Sequence, residues 1–130
     1  MKTAFYAACT VVLLIGGSGM AWAEADAQNG EDVFKKCRAC HLVGEGAKNA
    51  VGPMLNDVIG RKAAGIEGFN YSENMKQLGT KGTVWDDANL DNYLENPKKL
   101  VPAGKMAFPG LKEKQDRDDV IAYLKTFSKK

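Results

Sequence analysis

Apolar positions along the chain fall into three kinds of pattern. Residues 4–15 form an apolar run interrupted only by Tyr6, Cys9 and Thr10. Further on, apolar side chains recur at helical spacing: Val33 and Phe34 with Cys37, then Leu90 with Tyr93 and Leu94, then Val120, Ile121, Leu124 and Phe127. These predict a first helix from about residue 26 or 29 to residue 40, a helix over 86–95, and a last helix starting near 116. Asn96-Pro97 stops the middle one, because a residue before proline avoids the α region. A short helix is expected over 72–78. Gly30 permits a close crossing, so the last helix is expected to pack across the first. The third pattern is no pattern. Residues 42–70 hold six glycines and a proline without a sustained period, and prolines and glycines keep 101–110 out of helix and strand. No strand alternation, repeat or linker is visible. The expected fold is one all-α domain over 24–130, with long loops that need something to wrap.

The apolar N-terminal run reads as a secretory signal over residues 1–23. Lys2 precedes it, Gly16, Gly17 and Gly19 loosen its end, and Ala21-Trp22-Ala23 places small residues where signal peptidase cuts, before Glu24. The run is shorter than the roughly 20 residues of a spanning helix, which disfavours an uncleaved anchor. The expectation is a soluble mature chain in an exported compartment, the periplasm. Composition adds little beyond exclusions. With 18 basic and 16 acidic residues and 45% hydrophobic content, the chain is neither disordered nor a nucleic-acid binder working by bulk charge.

One histidine in 130 residues changes the picture more. It excludes bis-histidine haem, a His-paired zinc site and any triad needing a second imidazole. That histidine closes Cys37-Arg38-Ala39-Cys40-His41, the spacing of covalent haem attachment. Thiols three apart lie on one face of a helix, within reach of two vinyl groups, and the adjacent imidazole approaches the iron from the same side. A disulfide or a thioredoxin-like pair would use the same cysteines but leave His41 without a task, and zinc needs more ligands. Haem c is the reading adopted. The second axial position is open to a methionine, a lysine, a tyrosine or nothing. Met54 and Met75 read as packing, whereas Met106 lies on a proline-bounded loop far along the chain from His41. Met106 is therefore the favoured ligand. Two strong axial ligands would make an electron carrier, not an enzyme.

The order of motifs extends this. After the Cys37–His41 motif come Gly52-Pro53, Gly60-Arg61-Lys62, Gly68-Phe69-Asn70-Tyr71, Trp85, Tyr93-Leu94-Glu95-Asn96-Pro97-Lys98-Lys99 and Gly104-Lys105-Met106-Ala107-Phe108. From about residue 30 to 130 the chain resembles the class I cytochromes c, specifically the bacterial cytochrome c2 type and its mitochondrial relatives. The resemblance implies the class I cytochrome c fold: terminal helices crossing, with short helices and long loops around one haem. It implies that Cys37 and Cys40 bind haem and that His41 and Met106 ligate iron. Pro53 would orient His41 through its carbonyl, Arg61, Tyr71 and Trp85 would surround the propionates, and Tyr93 would hydrogen-bond the methionine sulfur. Two positions depart from the pattern. Gly104 replaces a threonine of the propionate network, which implies a looser Met106 loop, and Met75 replaces an asparagine of the mitochondrial proteins.

Lys36, Lys98, Lys99, Lys105 and Lys112 lie close in sequence to the haem motif or the Met106 loop, while Asp86, Asp87, Asp116, Asp118 and Asp119 fall elsewhere. A basic rim that steers docking is expected, with Phe108 closing the crevice at the contact. By the resemblance, the partners would be a membrane cytochrome bc1 complex as donor and a terminal oxidase or photosynthetic reaction centre as acceptor. The protein would be a monomer with no nucleic-acid partner. Two alternatives stay open: a five-coordinate haem enzyme or gas sensor, if Met106 does not ligate, and a module that only carries haem.

Overall fold

The computed structural model describes residues 23–129, so the predicted signal segment lies outside the described residues except for Ala23. Five helices follow in order: α1 (Ala27–Phe34), α2 (Glu73–Thr80), α3 (Asp87–Glu95), α4 (Pro97–Leu100) and α5 (Lys114–Lys125). Strands are absent among the described residues; a single antiparallel bridge joins Lys62 and Val84. None of these helices is long and apolar enough to cross a membrane.

The terminal helices cross as expected, and Gly30 is the reason they can. A Cβ there would stand 2.0 Å from the Asp119 carbonyl oxygen. Around the crossing, Phe34 (1% exposed) stacks at 5.4 Å on Tyr123 and joins Val33, Val120, Ile121 and Leu124 in the core. Asp119 is buried there, and its carboxylate accepts the Asp26 N–H and the Gln115 Nε2–H, both at 2.8 Å. Asp26 in turn caps α1 by accepting from the Gln28 and Asn29 amides.

Two boundaries differ from expectation. α1 ends at Phe34, not residue 40, because the backbone tightens into three-residue turns: Lys36 N–H to Val33, Cys37 N–H to Phe34, and Cys40 N–H to Cys37. Such turns eclipse positions i and i+3, so the two cysteines stand one above the other without an α-helix beneath them. Pro97 stops α3 but also opens α4, since its fixed φ and missing N–H suit a first helical position. α5 begins at Lys114, slightly ahead of the expected start.

α2 and the loop before it form a frame. Ser72 caps α2 by accepting the Met75 amide. At the other end Gly79 sits so close to the Ala63 carbonyl that a Cβ would lie 2.2 Å from it. The Ala63 amide donates to the Thr83 carbonyl, the Trp85 amide to the Arg61 carbonyl at 2.8 Å, and the Gly60 amide to the Trp85 carbonyl at 2.9 Å. Segment 60–63, α2 and Trp85 therefore hold one another in place.

Candidate functional site

His41 is the best-defined element of the site. Its Nδ1 lies 2.7 Å from the Pro53 carbonyl oxygen. A carbonyl only accepts, so Nδ1 carries the proton and Nε2 presents a lone pair, the form in which imidazole binds a metal. Burial holds the ring's pKa below the ordinary imidazole value, against the Pro53 carbonyl, which favours protonation. The ring lies flush on Gly52, where a Cβ would stand 2.4 Å from Cε1. Backbone bonds from Gly52 to Cys40 (2.8 Å) and from Leu55 to Leu42 (3.0 Å) hold this loop against the cysteine motif. Cys37 and Cys40 are half-buried free thiols, and burial pushes the Cys37 thiol above its usual pKa.

Around this, 42–71 is a structured wrap. Asn56 clips it, accepting the Gly44 N–H and donating to the Gly44 carbonyl at 2.8 Å each. The Arg61 guanidinium donates to the Asn56 and Met54 carbonyls at 3.2 and 3.1 Å. Burial lowers its pKa, and Tyr71 and Asp57 oppose that shift. Tyr71 accepts the Ile66 N–H at 3.2 Å and packs edge-on against Phe69. Trp85, 6% exposed, stacks at 5.0 Å on Tyr93.

Tyr93 links this frame to Met106. Its hydroxyl points at the Met106 sulfur, 3.9 Å away. Burial pushes the phenol up to about 12, so it remains a donor at neutral pH. The Met106 loop is tied at both ends. Lys98 Nζ donates to the Gly104 carbonyl, Ala103 N–H to Asn74 Oδ1, and Lys105 Nζ to the Asn70 carbonyl. Beyond Met106, the Leu111 amide bonds to Leu94 at 2.7 Å. Gly110, at φ 111°, presses on the Glu95 carbonyl where a Cβ would lie 2.2 Å away. At Gly104, where a looser loop was expected, neighbouring side chains bond to the loop. The glycine lets the chain turn tightly on Val101, and other side chains supply the restraint. Met75 packs against the core, and Met54 is half-buried beside the Arg61 clip.

The lysines expected to form a rim fall into two groups. Lys98, Lys99, Lys105 and Lys112 are exposed, and none has a carboxylate within 4.0 Å among the described residues; three of them donate to backbone carbonyls. Lys36 differs, because α5 brings Asp116 within 3.6 Å of it. The crossing of the terminal helices places that acid where the linear sequence kept it apart. Phe108 is half-buried and packs against the core.

Sequence reasoning missed three contributors. Gly52 was legible only as half of Gly-Pro, not as the floor under an imidazole. Asn74 looked like an ordinary helix residue. Arg117 had no role assigned, yet it is 5% exposed, pairs with Asp91 at 2.7 Å, and donates to the Leu111 and Lys112 carbonyls. Only the last had a signal, a lone arginine on the apolar side of the α5 stripe.

The side chains present fit a covalently held haem. Two thiols stand one turn apart, an imidazole offers Nε2, and a thioether is held by a phenol. The glycine floor leaves room for nothing but the ring. Among the described residues no three His, Cys, Asp or Glu side chains gather as an ion site, so the zinc alternative has no ligand set.

Comparison with known proteins points to the same cofactor. The cytochrome c family model matches residues 27–128. The chain is 55% identical over 109 residues to a cytochrome c2 of Rhodomicrobium vannielii, covering 84% of this chain and 85% of that one. It is 57% identical over 99 residues to cytochrome c-550 of Ancylobacter novellus, covering 76% and 92%. Its fold is similar to the solved cytochrome c2 of Rhodospirillum centenum, with a TM-score of 0.75 and 43% identity over 81% of this chain and all of that one. The chain belongs to the cytochrome c family, as a single-haem electron carrier of the class I fold whose cofactor is covalently bound haem c.

Proposed function

We propose that this chain is an exported electron shuttle with His41 and Met106 as axial ligands. It would run between a membrane cytochrome bc1 complex and a terminal oxidase or photosynthetic reaction centre. Cys37 and Cys40 form the two thioethers. Cleavage before Glu24 releases the protein into the periplasm. The observation that carries the reading is the Tyr93–Met106 contact, because the occupant of the second axial position separates a carrier from an enzyme or sensor.

The haem supplies a one-electron ferric/ferrous couple, and the chain's own residues set its terms. Pro53 accepts the Nδ1 proton of His41, fixing the tautomer and strengthening Nε2 as a donor. Tyr93 donates to one sulfur lone pair of Met106 and leaves the other free to bind. A thioether in place of a second imidazole favours ferrous iron and raises the potential. Buried Trp85 and Phe34, with the partly buried Tyr93, keep the surroundings apolar, which limits reorganisation when charge changes by one. Arg61 and Tyr71, with the Trp85 indole N–H, would hold the propionates.

The test is an optical spectrum of the exported, matured protein in both oxidation states, with and without carbon monoxide. The expected result is a low-spin spectrum with the weak far-red methionine-to-iron band and no response to carbon monoxide. A high-spin or carbon-monoxide-binding protein overturns the ligation and favours the five-coordinate alternative. The mass of the mature holoprotein tests cleavage before Glu24.

A further inference from the structure

α2 reaches from the frame to the Met106 loop. At its C-terminal end, Gly79 is seated on the Ala63 carbonyl, beside the segment that carries Arg61 and pairs with Trp85. At its N-terminal end, Asn74, the second residue of the helix, accepts the Ala103 N–H through Oδ1 at 2.8 Å. Just before the helix, the Asn70 carbonyl accepts Lys105 Nζ, also at 2.8 Å. Eight residues of helix span about 12 Å, so α2 is a stiff strut between the frame and residues 103–105, immediately before Met106.

The loop needs that strut. Gly104 has no side chain to anchor, and its amide serves only the local turn onto Val101. The Ala103 amide finds its partner 29 residues away, on another element. Without Asn74 the restraints before Met106 reduce to lysine ammonium groups on backbone carbonyls, held by flexible four-carbon stems.

We propose that Asn74 is a positioning residue for the axial sulfur: its amide oxygen latches the Met106 loop to α2 and holds the loop in its ligating conformation. The inference rests on the Met106 ligation proposed above. Asn74 touches neither sulfur nor haem and acts through the backbone of residue 103.

The experiment compares holoprotein carrying Asn74→Ala and Asn74→Asp with the parent. Alanine is a better helix former than asparagine, so Asn74→Ala removes the latch without weakening α2, and aspartate keeps an acceptor oxygen. Two readouts are followed: hydrogen exchange of the Ala103 amide in the ferrous protein, and the urea concentration at which the ferric far-red band disappears. In Asn74→Ala, exchange is expected to accelerate roughly three- to tenfold, the loss of one exposed hydrogen bond. The band is expected to vanish at lower urea while the far-UV circular dichroism midpoint stays at the parent value. Asn74→Asp is expected to restore both. If exchange and band are unchanged in Asn74→Ala, or if band and helix signal fall together, the latch is wrong while Met106 ligation stands. A parent protein lacking the far-red band overturns the ligation and the latch together.

Discussion

At the scale of single residues, the site depends on atoms that are missing as much as on those present. Gly52 lies under the His41 ring with no space for a methyl group, the nearest ring atom being 2.4 Å from a notional Cβ. Gly52→Ala must displace either the ring, which the Pro53 carbonyl holds at 2.7 Å, or a backbone bonded to Cys40. Overpacking of this kind costs about 1–3 kcal/mol, readable as a lower urea midpoint. The ligand would also change character. An imidazole that loses its Nδ1–H bond is a weaker donor to ferric iron, so the reduction potential of the holoprotein is expected to rise. An unchanged potential would mean the Pro53 bond does not tune the iron. The motif Gly52-Pro53 was visible in the sequence, and so was His41. Their contact came only from the family resemblance, because ten residues of aperiodic loop separate them and nothing local dictates that path.

Elements show why the boundaries were less legible than the cores. The apolar stripes of α3 and α5 lie where their spacing put them, since burial enforces them. The end of α1 was misjudged because Phe34 and Cys37 satisfy a three-residue turn as well as an α-helix, and the choice lies in backbone bonds. Arg117 escaped because it stands among charged residues at 116, 118 and 119 in the sequence. Its partner, Asp91, comes from α3, 26 residues away. The pair joins α5 to α3 and closes the far end of the Met106 loop through the Leu111 and Lys112 carbonyls. Asp91→Ala leaves a guanidinium buried beside Lys114 with no counter-charge. Breaking such a pair costs about 3 kcal/mol, toward the low side because Asp91 is one-quarter exposed. Replacing both partners, Asp91→Leu with Arg117→Met, is expected to recover most of the loss. A double variant no more stable than Asp91→Ala would show that the carbonyl contacts of Arg117 matter more than the ion pair.

Across the whole molecule the lysines differ in whether a carboxylate lies beside them. Lys35, Lys76, Lys114, Lys125 and Lys129 each lie within 4.0 Å of a carboxylate. Lys98, Lys99, Lys105 and Lys112, gathered on α4 and the Met106 loop, have none among the described residues, and neither do the scattered Lys48, Lys62 and Lys81. A formal charge of +2 therefore hides a local cluster of four unpaired lysines, and clustered charge orients a protein before contact. The sequence foreshadowed this by placing lysines near the Met106 loop, but only the fold distinguishes them from Lys36, which Asp116 shadows. Position and net charge can be separated by experiment. Lys99→Glu and Lys125→Glu change the net charge equally, but the first reverses a free charge on the α4 face and the second a paired one on α5. If the α4 face docks on an acidic partner, Lys99→Glu is expected to slow bimolecular electron exchange with a cytochrome bc1 complex by about tenfold at low salt and to flatten its ionic-strength dependence. Lys125→Glu is expected to leave both close to the parent. Equal slowing by the two variants would mean that total charge governs the encounter, and the oriented docking face would have to be abandoned.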